Sequence, residues 1–164
     1  MIESARERIV RWDDPAPGLL ALKGMSGLDA MQAVASGKIA SPPIARLMNI
    51  WVAEAEKGRV VFEGEPGEEH YNPIGLVHGG FALTILDSAL GCAIHTMLEA
   101  GVGYATTDIQ VRMVRAIRKD TGRVRCEGIV QHIGRTIGIS HGTLVDGAGK
   151  LLATGTTACA IIRP

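Results

Sequence analysis

The sequence predicts an α+β fold in which an antiparallel sheet wraps around one long central helix. Three observations carry this expectation. A nearly all-apolar stretch spans 79–98, with polar positions limited to Thr84, Asp87, Ser88, His95 and Thr96. A helix apolar on almost every side belongs in a core. Four strand-like runs follow it in series, each bounded by turn residues, and one more precedes it. Short turns between consecutive strands favour antiparallel pairing round that helix.

In chain order, residues 1–24 mix charges with Asp13-Asp14-Pro15-Ala16-Pro17-Gly18, which allows only a short regular piece. Ser26 to Ser36 reads as a short helix, capped by Ser26 with Asp29 three residues on and stopped by Gly37. Ser41-Pro42-Pro43 breaks the chain before a short apolar segment, Ile44 to Trp51. Arg59 to Glu65 reads as the first strand, and an acidic turn through His70 leads to the helix. After Gly101 come Tyr104 to Ile117, a strand around Val124 to Val130, Thr136 to Val145, and Leu151 to Ile162. Ile109, Val111 and Met113 alternate with Asp108, Gln110 and Arg112, which is the period of a half-buried strand. The whole, 1–164, is expected as one domain with a core at about 26–162 and a lead-in at 1–25.

Composition narrows the function. The 17 basic and 17 acidic residues cancel, which argues against a nucleic-acid partner. Residues 71–164 nevertheless hold nine Lys/Arg against six Asp/Glu, and six of those nine lie between Arg112 and Arg125. That cluster is either a solvated surface or a seat for one phosphorylated ligand. Cys92, Cys126 and Cys159 are widely spaced and form no C-x-x-C pair, so buried reduced thiols are expected. The five histidines show no metal-ligand spacing, and no metal is expected. The first residues carry acids and no apolar leader, and no apolar run is long enough to span a bilayer. A cytoplasmic protein without a membrane partner is the expectation.

The chemistry concentrates in Asn72-Pro-Ile-Gly-Leu-Val-His78-Gly79-Gly80-Phe-Ala-Leu-Thr-Ile-Leu-Asp87. A helix N-terminus offers N–H groups with no intrahelical partner. Gly79 and Gly80 expose those donors without a Cβ in the way, which suits an oxyanion or a polarised carbonyl. His78 and Asn72 can hold the loop or add a donor. Asp87 sits mid-helix among apolar neighbours, where Asp has poor propensity, and is the candidate general base. The alternative is an acid paired with an Arg from the strands, or one that reaches solvent at an edge. Nine residues of helix place His78 and Asp87 roughly 13 Å apart. If both ends serve one carbonyl, the acid must come from a second copy. The motif thus predicts a homodimer with two composite sites.

Asn72-x5-His78-Gly79-Gly80-x6-Asp87 resembles the signature of hotdog-fold acyl-CoA thioesterases of the phenylacetate-pathway type. The resemblance covers about residues 26–162 and includes Ser41-Pro-Pro, Glu69-His-Tyr-Asn72 and Thr106-Thr-Asp-Ile-Gln-Val-Arg. It implies hydrolysis of an acyl-CoA thioester, with coenzyme A as part of the substrate and no separate cofactor. The Gly79 N–H and the Asn72 side chain would polarise the carbonyl, and the partner's Asp87 would activate water. His78 would support the donor loop, and Gly80 would line the substrate's approach. Thr106, or the adjacent Thr107, would orient the water. Arg112, Arg118 and Arg135 are the candidates for the coenzyme A phosphates. A homotetramer is implied by the resemblance alone.

Two other functions remain open at this point: a hydratase or dehydratase of acyl thioesters on the same fold, and a non-enzymatic acyl-CoA-binding protein. Gly138-Ile-Ser140-His-Gly142 matches G-x-S-x-G, but it lies in a strand-like run with no helix after it, so a nucleophilic serine is not expected.

Overall fold

The computed structural model describes residues 5–164; the first four, and with them the start of the segment read as lacking a leader, lie outside the described residues. Three short helices come first: α1 (Pro15–Leu22), α2 (Gly27–Ala35) and α3 (Pro43–Met48). Strands β1 (Ile50–Glu56) and β2 (Arg59–Gly64) precede the long helix α4 (Gly79–His95). Strands β3 (Gly103–Met113), β4 (Val124–Ile133), β5 (Ile137–Asp146) and β6 (Leu151–Ile162) follow it. The strands form one six-stranded sheet in the order β1-β2-β4-β5-β6-β3, and every pairing is antiparallel.

Local chemistry sets the helix ends. Ser26 Oγ accepts from the Asp29 N–H and donates to the Asp29 carboxylate, closing the start of α2 as expected. Asn49 ends α3 in the left-handed conformation (φ 53°), which asparagine tolerates, and the chain turns straight into β1. That strand corrects the reading of Ile44 to Trp51 as a mere apolar segment. Ala and Glu are weak strand formers, and a bulge between Val52 and Glu54 breaks the alternation.

Helix α4 is the core element. Phe81, Ala82, Ile85, Leu86, Ala89, Leu90, Ala93 and Ile94 are buried against the concave face of the sheet. Gly128 of β4 lets the two layers meet, because a Cβ there would collide with the Ala89 carbonyl. Ser140 is buried under the same helix and donates to the Leu90 carbonyl at 2.9 Å. It is a bridge between helix and strand, in keeping with its exclusion as a nucleophile. No helix among the described residues is long and apolar enough to cross a membrane.

Strand β3 closes one edge of the sheet and is largely exposed along its length. Its outer row of backbone donors and acceptors has no strand partner among the described residues. A long open edge of this kind is a template for pairing with another strand.

Candidate active site

The donor end is built by the loop before α4. Asn72 Oδ1 accepts from the backbone N–H groups of Ile74 and Leu76, both at 3.1 Å. The Asn72 N–H donates to the Leu76 carbonyl at 2.8 Å, so residues 72–76 form a closed turn. With Oδ1 committed, the amide nitrogen of Asn72 is left as a donor with no acceptor among the described residues. The His78 N–H donates to the His70 carbonyl at 2.7 Å, and the His70 ring lies 5.1 Å from that of Phe81. These contacts fix the angle at which the chain enters the helix.

At the helix start the two glycines part ways. Gly80 donates its N–H to His78 Nδ1 at 2.9 Å, a side-chain N-cap. Its donor is therefore consumed. Gly80 contributes the absence of a Cβ, which would stand 3.0 Å from that same Nδ1. Gly79 has no acceptor for its N–H among the described residues. A backbone N–H can only donate, so Nδ1 of His78 must be the acceptor nitrogen, and the ring proton sits on Nε2.

The acid end lies two turns further on. Thr106 Oγ1 donates to Asp87 Oδ1 at 2.9 Å and lies 3.8 Å from the Cys159 thiol. Thr107 instead donates to the Ala158 carbonyl at 3.0 Å, across a bulge between Thr106 and Asp108. The bulge turns the first threonine to the acid and the second to the sheet. Asp87 keeps one oxygen without a protein donor among the described residues, and it opens on a cavity.

That cavity, about 520 Å3, runs from Asp87, Ala105 and Thr106 into apolar ground. Met31, Val34, Ile39, Val52 and Phe62 form its walls, and Leu19 and Leu22 of α1 lie over it. Helix α4 contributes Ser88, Cys92 and His95, spaced so that they share one face. Burial pushes the Cys92 thiol up to about 11, and the Tyr104 hydroxyl, 3.8 Å from that sulfur, is pushed well up by burial first. Burial also raises the Cys159 thiol and lowers His95. Cys92, Tyr104 and His95 therefore stay uncharged near neutrality, so this wall carries no charge. The role of Cys92, Tyr104 and His95 escaped the sequence reading, although the 88/92/95 spacing is a visible stripe on a helix.

The two ends do not meet within one chain. Eight helical residues separate Gly79 from Asp87, about 12 Å along the axis. The basic candidates are also divided. Arg123 and Arg125 pair with Glu63, Glu65 and Glu54, and Lys119 with Glu68. Arg112 and Arg118 have no ion pair among the described residues. Both lie at the donor end: Met113 approaches Gly79, and the Val77 N–H donates to the Ile117 carbonyl at 3.0 Å. Arg135 is elsewhere. Its neighbour Ile137 faces Ala160 in β6, whereas Arg112 faces Thr154, six residues or about 20 Å along the strand.

Residues 74–153 match the family model of the thioesterase superfamily. The chain is 28% identical to acyl-coenzyme A thioesterase 13 of Homo sapiens over 110 residues, 66% of this chain and 77% of that protein. A solved thioesterase family protein from Silicibacter pomeroyi superposes with a TM-score of 0.73 at 20% identity, covering 82% of this chain and 99% of that one. The E. coli PaaI protein from the phenylacetic acid degradation operon gives 0.72 at 18%, covering 84% and 96%. The sheet wrapped on a central helix is thus the hotdog fold.

Proposed function

We propose that this chain, a hotdog-fold protein whose residues 74–153 match the thioesterase superfamily, hydrolyses acyl-CoA thioesters to a carboxylic acid and coenzyme A. The observation that carries the reading is the Asp87–Thr106 pair, with one carboxylate oxygen left without a donor among the described residues, at the head of an apolar cavity. A carboxylate at such a boundary can take a proton from water beside a carbonyl whose acyl tail is buried. The relatedness to the phenylacetate-pathway type of thioesterase belongs to the same proposal.

In this mechanism the catalytic unit is a homodimer. Two β3 edges pair antiparallel about a two-fold axis, which sets the Thr106 end of one strand against the Met113 end of the other. The Met113 side chain ends beside Gly79 in its own chain, where a Cβ would meet it. The pairing therefore brings Asp87 of one protomer toward the donor end of its partner. Asp87 removes a proton from water as the water oxygen attacks the thioester carbon. The carbonyl oxygen becomes an oxyanion held by the Gly79 N–H and the Asn72 amide nitrogen, both without other acceptors among the described residues. Collapse breaks the C–S bond, and the proton leaves Asp87 with the coenzyme A thiolate. Thr106 fixes the carboxylate, while Arg112 and Arg118 at the donor end serve the phosphates. No cofactor takes part. Arg135 and assembly into a tetramer are separate proposals with no part in these steps.

Hydration chemistry on this fold would need a histidine lone pair to move a proton from carbon. The Nδ1 lone pair of His78 is held by the Gly80 N–H, which speaks for hydrolysis. A pure acyl-CoA binder would have no use for a carboxylate oriented by a threonine. A thiol-release assay over an acyl-CoA panel, with Asp87→Asn as control, tests the reading. Release by the native protein and its loss in the variant is expected. Binding without release, or undiminished release by the variant, refutes it.

A further inference from the structure

Helix α1 has the sequence Pro-Ala-Pro-Gly-Leu-Leu-Ala-Leu, carries no charge, and buries none of its residues. Leu19 and Leu20 are 60% and 68% exposed. A helix this apolar normally lies in a core. Here it lies over empty space instead. Leu19 and Leu22 line the 520 Å3 cavity that begins at Asp87, and the same leucines line a second cavity of about 590 Å3 reaching Gly101 to Gly103. His95 borders both. The helix lies outside residues 74–153, which match the family.

We infer that α1 is the end stop of the acyl channel and that it selects medium-chain aliphatic acyl groups of about eight to ten carbons, an inference that rests on the thioesterase reading. The length follows from α4. The channel tracks that helix from Asp87 to His95, eight residues or about 12 Å. An extended chain advances about 1.2 Å per bond, so about ten bonds span the length from Asp87 to His95, which lines the cavity together with Leu19 and Leu22 of α1. An arylacetyl group, about six bonds long, would stop near Cys92 and leave the far half empty. Each missing methylene forfeits roughly fourfold in kcat/KM, the factor for burying one such group. A longer chain meets Leu19 and Leu22.

The test measures kcat/KM by thiol release for straight-chain acyl-CoAs from two to sixteen carbons, with phenylacetyl-CoA alongside. The full chain is compared with the double variant Leu19→Trp, Leu22→Trp and with a chain lacking residues 1–24. The native protein is expected to peak at eight to ten carbons. The tryptophan variant should lower the decanoyl-to-butanoyl ratio at least tenfold, with Tm unchanged. The truncated chain should raise hexadecanoyl relative to decanoyl. A peak at four carbons or fewer, a preference for phenylacetyl-CoA, or ratios unmoved by either variant overturns the inference while leaving hydrolysis standing. If no thioester is cleaved, the hydrolase reading falls. Calorimetry with nonhydrolysable thioether analogues then reads the channel: tighter binding of decyl than butyl, lost in the tryptophan variant, supports it, and equal binding overturns it.

Discussion

Replacing Gly79 by proline removes one N–H from the site and little else. Gly79 is the first helical residue of α4, the position where proline is best tolerated, since its N–H has no intrahelical partner. His78 has φ −60° and ψ 139°, the extended conformation a residue before proline requires. A Cβ at position 79 would stand 3.2 Å from Met113 Cε, the free end of a flexible side chain. Stability should therefore stay within about 1 kcal/mol of the native chain, and restriction of the unfolded chain works in the variant's favour. Loss of one oxyanion donor costs about 100- to 1,000-fold in kcat, with little change in KM if the bond forms only as charge develops. Gly79→Ala makes the same approach to Met113 but keeps the N–H, and should retain most activity. Thiol release gives kcat and KM, and scanning calorimetry gives Tm. If the proline variant keeps kcat within about fivefold of native, the donor is not the Gly79 N–H. If alanine is as damaging as proline, the contact with Met113 is what matters.

Further outcomes follow from the same geometry. Asp87→Asn should lower kcat by about 100- to 10,000-fold, the range for a general base, while thioether analogues still bind. Thr106→Val removes the hydrogen bond that orients the carboxylate and should cost about tenfold in kcat or more, whereas Thr107→Val should cost little. Arg112 and Arg118 changed together to Ala should raise KM for acyl-CoA about fivefold, less so at high salt, with no effect on a thioester lacking the phosphates. Burial lowers His95, so its contribution to stability is complete above about pH 6.5 and is lost as pH falls and the unfolded chain takes up the proton first. Tm should fall from pH 6.5 to 5, and His95→Gln should flatten that slope.

Periodicity made most of the fold legible. The all-apolar run became α4, and the alternating runs after Gly101 became β3 to β6 in the expected order. Strand β1 was hidden because Ala-Glu-Ala-Glu reads as helix and a bulge interrupts its period. Its partner β2, rich in Val and Phe, supplies the register that makes it a strand. The loop from Asn72 to Gly80 and Asp87 stood out as residue types at fixed spacing, and their catalytic roles belong to the proposal. Which glycine keeps its N–H was not, because that depends on the side-chain rotamer of His78. The choice of Thr106 over Thr107 turned on the bulge at 107, which no pattern of side chains announces. The basic run from Arg112 to Arg125 looked uniform, but cross-strand acids neutralise part of it and leave Arg112 and Arg118 unpaired among the described residues. The cavity beside Asp87 was least legible, since α1, α2 and α4 meet there from distant parts of the chain.

The central claim is that each site is shared, with the donor of one chain serving the acid of the other. A heterodimer of one Gly79→Pro chain and one Asp87→Asn chain, purified through two different tags, tests it directly. Each parent homodimer should be nearly inactive. In the heterodimer one site has lost both groups and the other has lost neither, so thiol release should recover to about half the native rate per dimer. A heterodimer as inactive as its parents would place donor and acid in the same chain and contradict the account.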